Sequence, residues 1–156
     1  MKIDRFWKRK EITPIWIASI IGLIVSGYLS FVKLFHTTIY CTPGLGDCQS
    51  VNSSQWSVLW GIPVAVFGVI GYLAILFIVF FGPKLAIFKP YVRSFLFGLG
   101  LFGFLFSAYL TSIELFVLHT ICQWCIVSAL CMTVIFIASI FLLKRDRPNS
   151  LQIGGK

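Results

Sequence analysis

The chain has 156 residues, of which 58% are hydrophobic and only 12% are charged, and its mean hydropathy is +0.94. Soluble domains carry about a quarter charged residues, so this composition excludes an ordinary soluble domain and indicates an integral membrane protein. The net charge of +8 would suit a nucleic-acid-binding protein, but the positions of the basic residues favour another explanation.

Four long apolar stretches are predicted to cross the membrane. They lie at residues 12–35, 62–81, 94–118 and 121–143. Each is long enough for a helix to cross a hydrocarbon core of about 30 Å, and helices are the default because the backbone must satisfy its own polar groups there. The predicted fold is therefore an all-α integral membrane protein, a four-transmembrane-helix bundle. We expect a single domain over 1–146 and a short polar cytoplasmic tail at 147–156.

The basic residues predict the orientation of this bundle. With four spans, twelve of the thirteen Lys and Arg residues fall on one side of the membrane. The positive-inside rule places that side in the cytoplasm, so both termini and the 82–93 connection are predicted to be cytoplasmic. The charge then needs no nucleic-acid partner. The loop at 36–61 and the short turn near His119 are predicted to face outward.

Two charged residues lie about one helical turn inside the predicted outer ends of their spans, Lys33 in the first span and Glu114 in the third. A charge at that depth is costly unless it is paired, hydrated or able to snorkel to the interface. We therefore predict an ion pair between Lys33 and Glu114, with separate snorkelling as the alternative.

The outer loop carries one cysteine pair, Cys41 and Cys48, with six residues between them. Glycine and proline bend this segment easily, and the spacing allows a disulfide to close. The segment that follows, 49–60, is too polar and too short to span, and its tryptophans suit the membrane interface. It is predicted to be a short interfacial helix across the outer mouth of the bundle.

A second pair, Cys122 and Cys125, forms a Cys-x-x-Cys motif where the fourth span begins. In the first turn of a helix, the positive end of the helix dipole lowers the pKa of a thiol. All four cysteines would then face an outer, disulfide-permissive compartment. The fifth cysteine, Cys131, lies about two turns deeper and is expected to be a buried structural residue.

Two cysteine pairs on one membrane face suggest a thiol–disulfide relay, in which one thiolate attacks a disulfide and a second resolves the mixed disulfide. The loop pair suits contact with a partner, and the helix pair suits delivery to an acceptor in the membrane. A lipophilic quinone, menaquinone or ubiquinone, resides in the membrane and takes two electrons. Two alternatives stay open: a non-catalytic membrane scaffold with structural disulfides, and a metal-handling membrane protein that uses cysteine and histidine ligands.

Four features together resemble the bacterial members of the vitamin K epoxide reductase family, from the first span to the end of the fourth. They are the loop pair Cys41 and Cys48, the serine Ser54 followed by Trp56, the Gly61-Ile62-Pro63 opening of the second span, and the motif Cys122-Gln123-Trp124-Cys125. The unrelated quinone-linked disulfide bond formation protein B family also has four spans. It places Cys-x-x-Cys in the first outer loop, which is the opposite order.

The resemblance implies a four-helix bundle around a quinone. Together with the orientation predicted from the basic residues, it places the protein in the bacterial plasma membrane with the active site on the outer face. It implies that Cys41 forms a mixed disulfide with a thioredoxin-like partner. It also implies that Cys48 exchanges with Cys122 and that Cys125 faces the quinone. Ser54 falls at a family position near the quinone.

Two departures from the family pattern refine this expectation. Many bacterial relatives carry a fused thioredoxin-like domain, whereas this chain stops after the fourth span, so the partner is expected to be a separate protein. The vertebrate enzymes have a tyrosine four residues after the second motif cysteine, where this chain has Ala129. That difference favours plain quinone reduction over reduction of the quinone epoxide.

Overall fold

The computed structural model describes residues 12–44, 46–82 and 91–144. The elements are α1 (Ile12–Leu34), α2 (Cys48–Ser53), a 3₁₀ turn (Gln55–Ser57), β1 (Val58–Leu59), β2 (Ile62–Pro63), α3 (Val64–Phe81), α4 (Val92–Phe116) and α5 (Gln123–Lys144). The helices α1, α3, α4 and α5 are each long and apolar enough to cross a membrane. The protein is therefore a multi-pass helical membrane protein, and the four predicted spans are confirmed.

The bundle is built around α1 and α5. Helix α1 packs closely against α3 and α5, and α4 packs closely against α5, whereas α3 and α4 meet less extensively. The side chain of Tyr72 is fully buried in the core between these helices, and its hydroxyl donates to the carbonyl oxygen of Ser128 at 2.9 Å. Gly22 permits this packing, because a Cβ there would overlap the Tyr72 ring.

A second buried cluster lies where α1 ends and α5 begins, at what we term the cysteine end of the bundle. Its buried members are Val25, Leu29, Val32, Ile39, Cys48, Val51 and Cys122. Cys41 and Cys125 pack against it. Two cysteine pairs that are far apart in sequence therefore share one end of the bundle. The fifth, Cys131, is buried in the other cluster, as predicted.

The prediction of a single helix over 49–60 is wrong beyond its first turn and a half. Helix α2 ends at Ser53 because Ser54 takes an extended conformation (φ −64°, ψ 155°). After the 3₁₀ turn, the chain forms an antiparallel hairpin in which Leu59 pairs with Ile62. Trp60 and Gly61, with φ of 52° and 81°, form its two-residue turn. Two positive φ values match the twist of a tight hairpin, and the turn leaves Trp60 92% exposed.

Some predictions from the sequence concern residues that the structure does not describe. The basic residues that predict the orientation lie mostly within 1–11, 83–90 and 145–156. The tail at 147–156 lies there as well. The orientation and the domain limits therefore stay predictions.

Candidate redox site

The loop pair is joined: Cys41 and Cys48 form a disulfide, with their Cα atoms 6.1 Å apart. Cys48 is the first residue of α2 and is fully buried, whereas Cys41 is half-buried. The two sulfurs are thus unequal in access, and Cys41 is the one that a second protein can approach.

Asp47 fixes the start of α2 next to this disulfide. Its carboxylate accepts hydrogen bonds from the backbone N–H of Ser50 at 3.1 Å and from the Ser50 hydroxyl at 2.5 Å. It thereby satisfies an N–H that has no partner within the helix. The same hydrogen bonds, with the Ser50 hydroxyl contributing most, hold the pKa of Asp47 below its usual value.

The loop is also pinned to the connection that leads into α5. The backbone N–H of Asp47 donates to the Thr120 hydroxyl at 3.0 Å. Gly46, with φ of 113°, lies directly against the carbonyl of Ile121, where a Cβ would overlap the backbone. Glycine alone suits both the positive φ and the close approach.

The two residues between the motif cysteines bind the backbone on either side of Cys41. The side-chain oxygen of Gln123 accepts from the N–H of Thr42 at 3.2 Å. The indole Nε1 of Trp124 donates to the carbonyl oxygen of Tyr40 at 3.0 Å. The Tyr28 hydroxyl accepts from the N–H of Tyr40 at 3.3 Å, and the rings of Tyr28 and Trp124 lie 5.2 Å apart.

The second pair lies at the start of α5, and both of its thiols are free. Cys122 is fully buried just before the helix, and its carbonyl accepts from the N–H of Ile126 at 3.1 Å. Cys125 lies in the first turn and is half-buried. The hydrogen bond from the Cys125 side chain lowers the pKa of the Cys122 thiol, although burial and the charge of Glu114 act in the opposite direction. The backbone N–H groups of Cys125 and Trp124, which have no acceptor within the helix, interact with the Cys122 side chain and lower its pKa further.

The predicted Lys33–Glu114 ion pair is wrong, because each charge has a nearer partner. The Lys33 ammonium donates to the carbonyl oxygen of Asn52 and to the Ser57 hydroxyl, the latter at 2.8 Å. Carbonyl groups at the end of α2 lack partners within that helix, so the end of α2 attracts the lysine.

Glu114 instead contacts the second cysteine pair. It is only 5% exposed, and its Oε2 accepts the backbone N–H of Cys122 at 3.1 Å. Its carboxyl group also interacts with the Cys125 side chain. A carboxylate predicted to pair with a lysine therefore lies beside both motif cysteines.

A cavity of about 440 Å³ opens beside these thiols. Cys122, Cys125, Glu114, Ser54 and Ala129 all line it. Most of the remaining wall is apolar or aromatic, and it includes Trp56, Phe67, Phe102, Phe106 and Leu110. A largely apolar pocket of several hundred Å³ with a few polar groups is typical of a small-molecule site.

Ser54 lies at the cavity wall as a half-buried residue between α2 and the 3₁₀ turn. Its hydroxyl donates to the carbonyl oxygen of Val51 at 2.8 Å. A serine has one O–H donor, so a ligand carbonyl would receive this hydrogen bond only after the hydroxyl turns away from Val51.

Sequence reasoning missed several of these contacts. In the sequence Gln123 and Trp124 are only the spacer of the motif, yet they bind Thr42 and Tyr40 across separations of 81 and 84 residues. No local pattern signals a contact over that distance. Within the residues that the structure describes, no group of three or more His, Cys, Asp or Glu side chains is placed to hold a metal ion.

The fold and the site define a class of protein: a membrane-spanning helical bundle with two cysteine pairs beside one apolar cavity. The sequence model of the vitamin K epoxide reductase family matches residues 13–140. The chain therefore belongs to this family, as the resemblance indicated. Membership implies a membrane oxidoreductase, and proteins of the family act on quinones.

Proposed function

We propose that this protein is a membrane thiol:quinone oxidoreductase that supports disulfide bond formation by reoxidising a thioredoxin-like partner. The observation that carries the proposal is the packing of both cysteine pairs on one buried cluster, with the second pair lining the cavity. Structural disulfides alone would give no reason for a pair of free thiols beside an apolar cavity.

Electrons enter at the loop disulfide. A thiolate of the reduced partner attacks the sulfur of Cys41, which is the more accessible of the two. The Cys41–Cys48 bond breaks, a mixed disulfide forms on Cys41, and the electron pair stays on Cys48 as a thiolate. The second thiol of the partner then resolves the mixed disulfide, and the partner leaves oxidised.

The released Cys48 passes the electrons inward. Its thiolate attacks Cys122 when Cys122 and Cys125 are joined as a disulfide, and Cys125 leaves as the thiolate. Attack by Cys41 on Cys48 then restores the loop disulfide and releases Cys122, and the second pair takes up the two protons that the partner's thiols gave up, so that both of its sulfurs are thiols. The structure, with Cys41–Cys48 closed and both motif thiols free, corresponds to this stage of the proposed cycle.

A quinone headgroup fits the cavity by size and polarity. Cys125 and Ser54 are the residues proposed to face it, and both lie on the cavity wall. The quinone, of the menaquinone or ubiquinone type, supplies a two-electron acceptor. Ala129 lines the cavity at the position where the vertebrate enzymes have tyrosine. This difference supports reduction of the quinone itself, as opposed to its epoxide.

The proposed orientation places the cysteine end on the outer face of the plasma membrane and both termini in the cytoplasm. Its support is the distribution of lysine and arginine along the chain, read by the positive-inside rule. An outer location gives the partner an oxidising compartment in which the disulfides it makes persist.

The decisive experiment is quinone reduction by the purified protein supplied with a reduced thioredoxin-like protein. The wild-type protein is expected to turn over, and Cys125→Ala is expected to be inactive because it lacks the thiol proposed to face the quinone. Cys131→Ala is the matched control, since it removes a buried cysteine of the same helix from the other cluster. Turnover by Cys125→Ala at the wild-type rate would refute the proposal.

A further inference from the structure

The structure carries one inference beyond the cysteine relay. We propose that Glu114 is a catalytic residue that accepts the proton of the Cys125 thiol and delivers it to the quinone in the cavity. This role rests on the proposed function and adds the path of the protons to the path of the electrons.

The position of Glu114 supports this role. Its Oε2 accepts the backbone N–H of Cys122 at 3.1 Å, and its carboxyl group lies near the Cys125 side chain, with which it lines the same cavity. It is thus a buried acid near a reacting thiol, at the wall of the space where the acceptor would bind. General acid–base catalysis requires this kind of reach before it requires a suitable pKa.

No positive charge neutralises this carboxylate within the described residues. Lys33, the basic residue at the same end of α1, is bound to the end of α2. Asp47 is exposed and is bonded to Ser50. The titratable groups that face Glu114 are Cys122, from the connection before α5, and Cys125, from its first turn.

The chemistry requires a proton carrier at this point. Joining the Cys122 and Cys125 thiols forms one S–S bond and releases two electrons and two protons. Reduction of a quinone to the quinol takes up both electrons and both protons, one at each oxygen. In a largely apolar cavity a bare proton is costly to hold, and an acidic side chain on the wall provides a group that can carry it.

Glu114 can transfer both protons from the thiols to the quinone without an additional reagent. Its carboxylate takes the proton of the Cys125 thiol, and the resulting thiolate supplies electrons to the quinone while Cys122 bonds to Cys125. The carboxylic acid then gives the proton to a quinone oxygen and returns to the carboxylate. The proton of Cys122 follows through the same group.

A purely structural role is the competing explanation, because Glu114 also satisfies the N–H of Cys122 at the start of α5. Glu114→Gln separates the two roles. Glutamine keeps an oxygen that accepts this N–H, but it neither takes nor gives a proton under these conditions. Glu114→Asp keeps an acid, and Ser112→Ala serves as the control, since Ser112 is exposed on the same helix.

Two rates separate the roles in the reduced protein. Single-turnover quinone reduction by Glu114→Gln is expected to fall by about 100-fold, the size typical of general acid–base catalysis. Exchange between Cys48 and Cys122 needs no proton from Glu114, so its rate is expected not to fall. Glu114→Asp should recover part of the lost quinone reduction.

A third measurement needs no quinone. The charge of Glu114 opposes ionisation of the Cys122 thiol, so the pH midpoint of the ultraviolet thiolate absorbance of Cys122 should fall in Glu114→Gln. The difference from the matching Cys122→Ala variant, both measured on quinone-free, reduced protein, assigns the absorbance to Cys122 without a reagent that must reach the buried sulfur. Ser112→Ala should match wild type in all three measurements.

The outcomes distinguish this role from the proposed function. Undiminished quinone reduction by Glu114→Gln, or an equal fall in quinone reduction and in Cys48–Cys122 exchange, would overturn the proton-carrier role alone. Failure of the wild-type protein to reduce quinone would overturn the proposed function and this role with it.

Discussion

The indole Nε1 of Trp124 donates a hydrogen bond to the carbonyl oxygen of Tyr40 at 3.0 Å. This bond ties the motif of the second cysteine pair to the residue that precedes Cys41. Gln123 makes the matching bond to the residue that follows Cys41. The spacer of the motif therefore positions the loop disulfide.

Trp124→Phe tests this positioning, because phenylalanine keeps a ring against Tyr28 and removes the N–H donor. A neutral hydrogen bond contributes about 0.5–1.5 kcal/mol net, so Cys48–Cys122 exchange should slow by roughly 2- to 12-fold. The rate can be followed as formation of that disulfide in a Cys125→Ala background. Trp16→Phe, the same substitution in the other cluster, is the control, and equal rates for the two variants would contradict the prediction.

The relay order is tested by trapping. In Cys125→Ala, the Cys122 thiolate can attack Cys48 of the loop disulfide and release Cys41 as the thiolate. The Cys48–Cys122 disulfide should therefore accumulate once the released Cys41 is alkylated and can no longer attack Cys48. Peptide mass spectrometry without reduction identifies it. The double variant with Cys48→Ala should lose the species, and its persistence there would exclude Cys48 as the residue that exchanges with Cys122.

Asp47 makes the loop sensitive to acid. Its pKa is lowered in the folded protein by the bonds from Ser50, so its ionised form favours the folded state. This contribution is complete above the ordinary carboxyl pKa and disappears as the pH falls through the lowered value. We expect the Tm advantage of wild type over Asp47→Asn to vanish across that acidic range.

The asparagine in this comparison keeps a side-chain oxygen for the N–H of Ser50, so it changes the charge and retains the cap. A constant Tm difference between the two proteins from neutral to strongly acidic pH would show that the Asp47 charge is not responsible.

Ser54→Ala tests the hydroxyl at the cavity wall. If this group donates to a quinone carbonyl, its loss should raise the KM for quinone by roughly 2- to 12-fold, which corresponds to one neutral hydrogen bond. Ser53→Ala is a close control, because Ser53 is exposed and donates to the carbonyl oxygen of Gln49. An unchanged KM in Ser54→Ala would remove Ser54 from the quinone site.

The spans and the grouping of the cysteines were predictable because their signals are local. Hydropathy over about 20 residues identifies a membrane helix, and spacing within short segments identifies each cysteine pair. Once four spans are counted, all four redox candidates must fall at one end of the bundle. The family resemblance added roles for individual cysteines that spacing alone does not assign.

The contacts that the sequence did not reveal depend on which backbone groups are unpaired at a given depth. Lys33 and Glu114 have opposite charges and similar depths, yet the carbonyl oxygen of Asn52 at the end of α2 attracts one and the backbone N–H of Cys122 before α5 attracts the other. The hairpin was missed for a related reason. Its turn needs a positive φ at Trp60. That conformation is uncommon for a residue other than glycine, so a tryptophan in the sequence does not indicate such a turn.

Cys48 and Cys122 are both fully buried, so small soluble thiols and oxidants in the surrounding water contact neither sulfur. If the proposed relay operates, such molecules would neither add electrons to its inner half nor remove them. Electrons would enter only at Cys41, which is partly exposed, and only from a protein that can approach it. Burial at these two positions would therefore select the source of electrons.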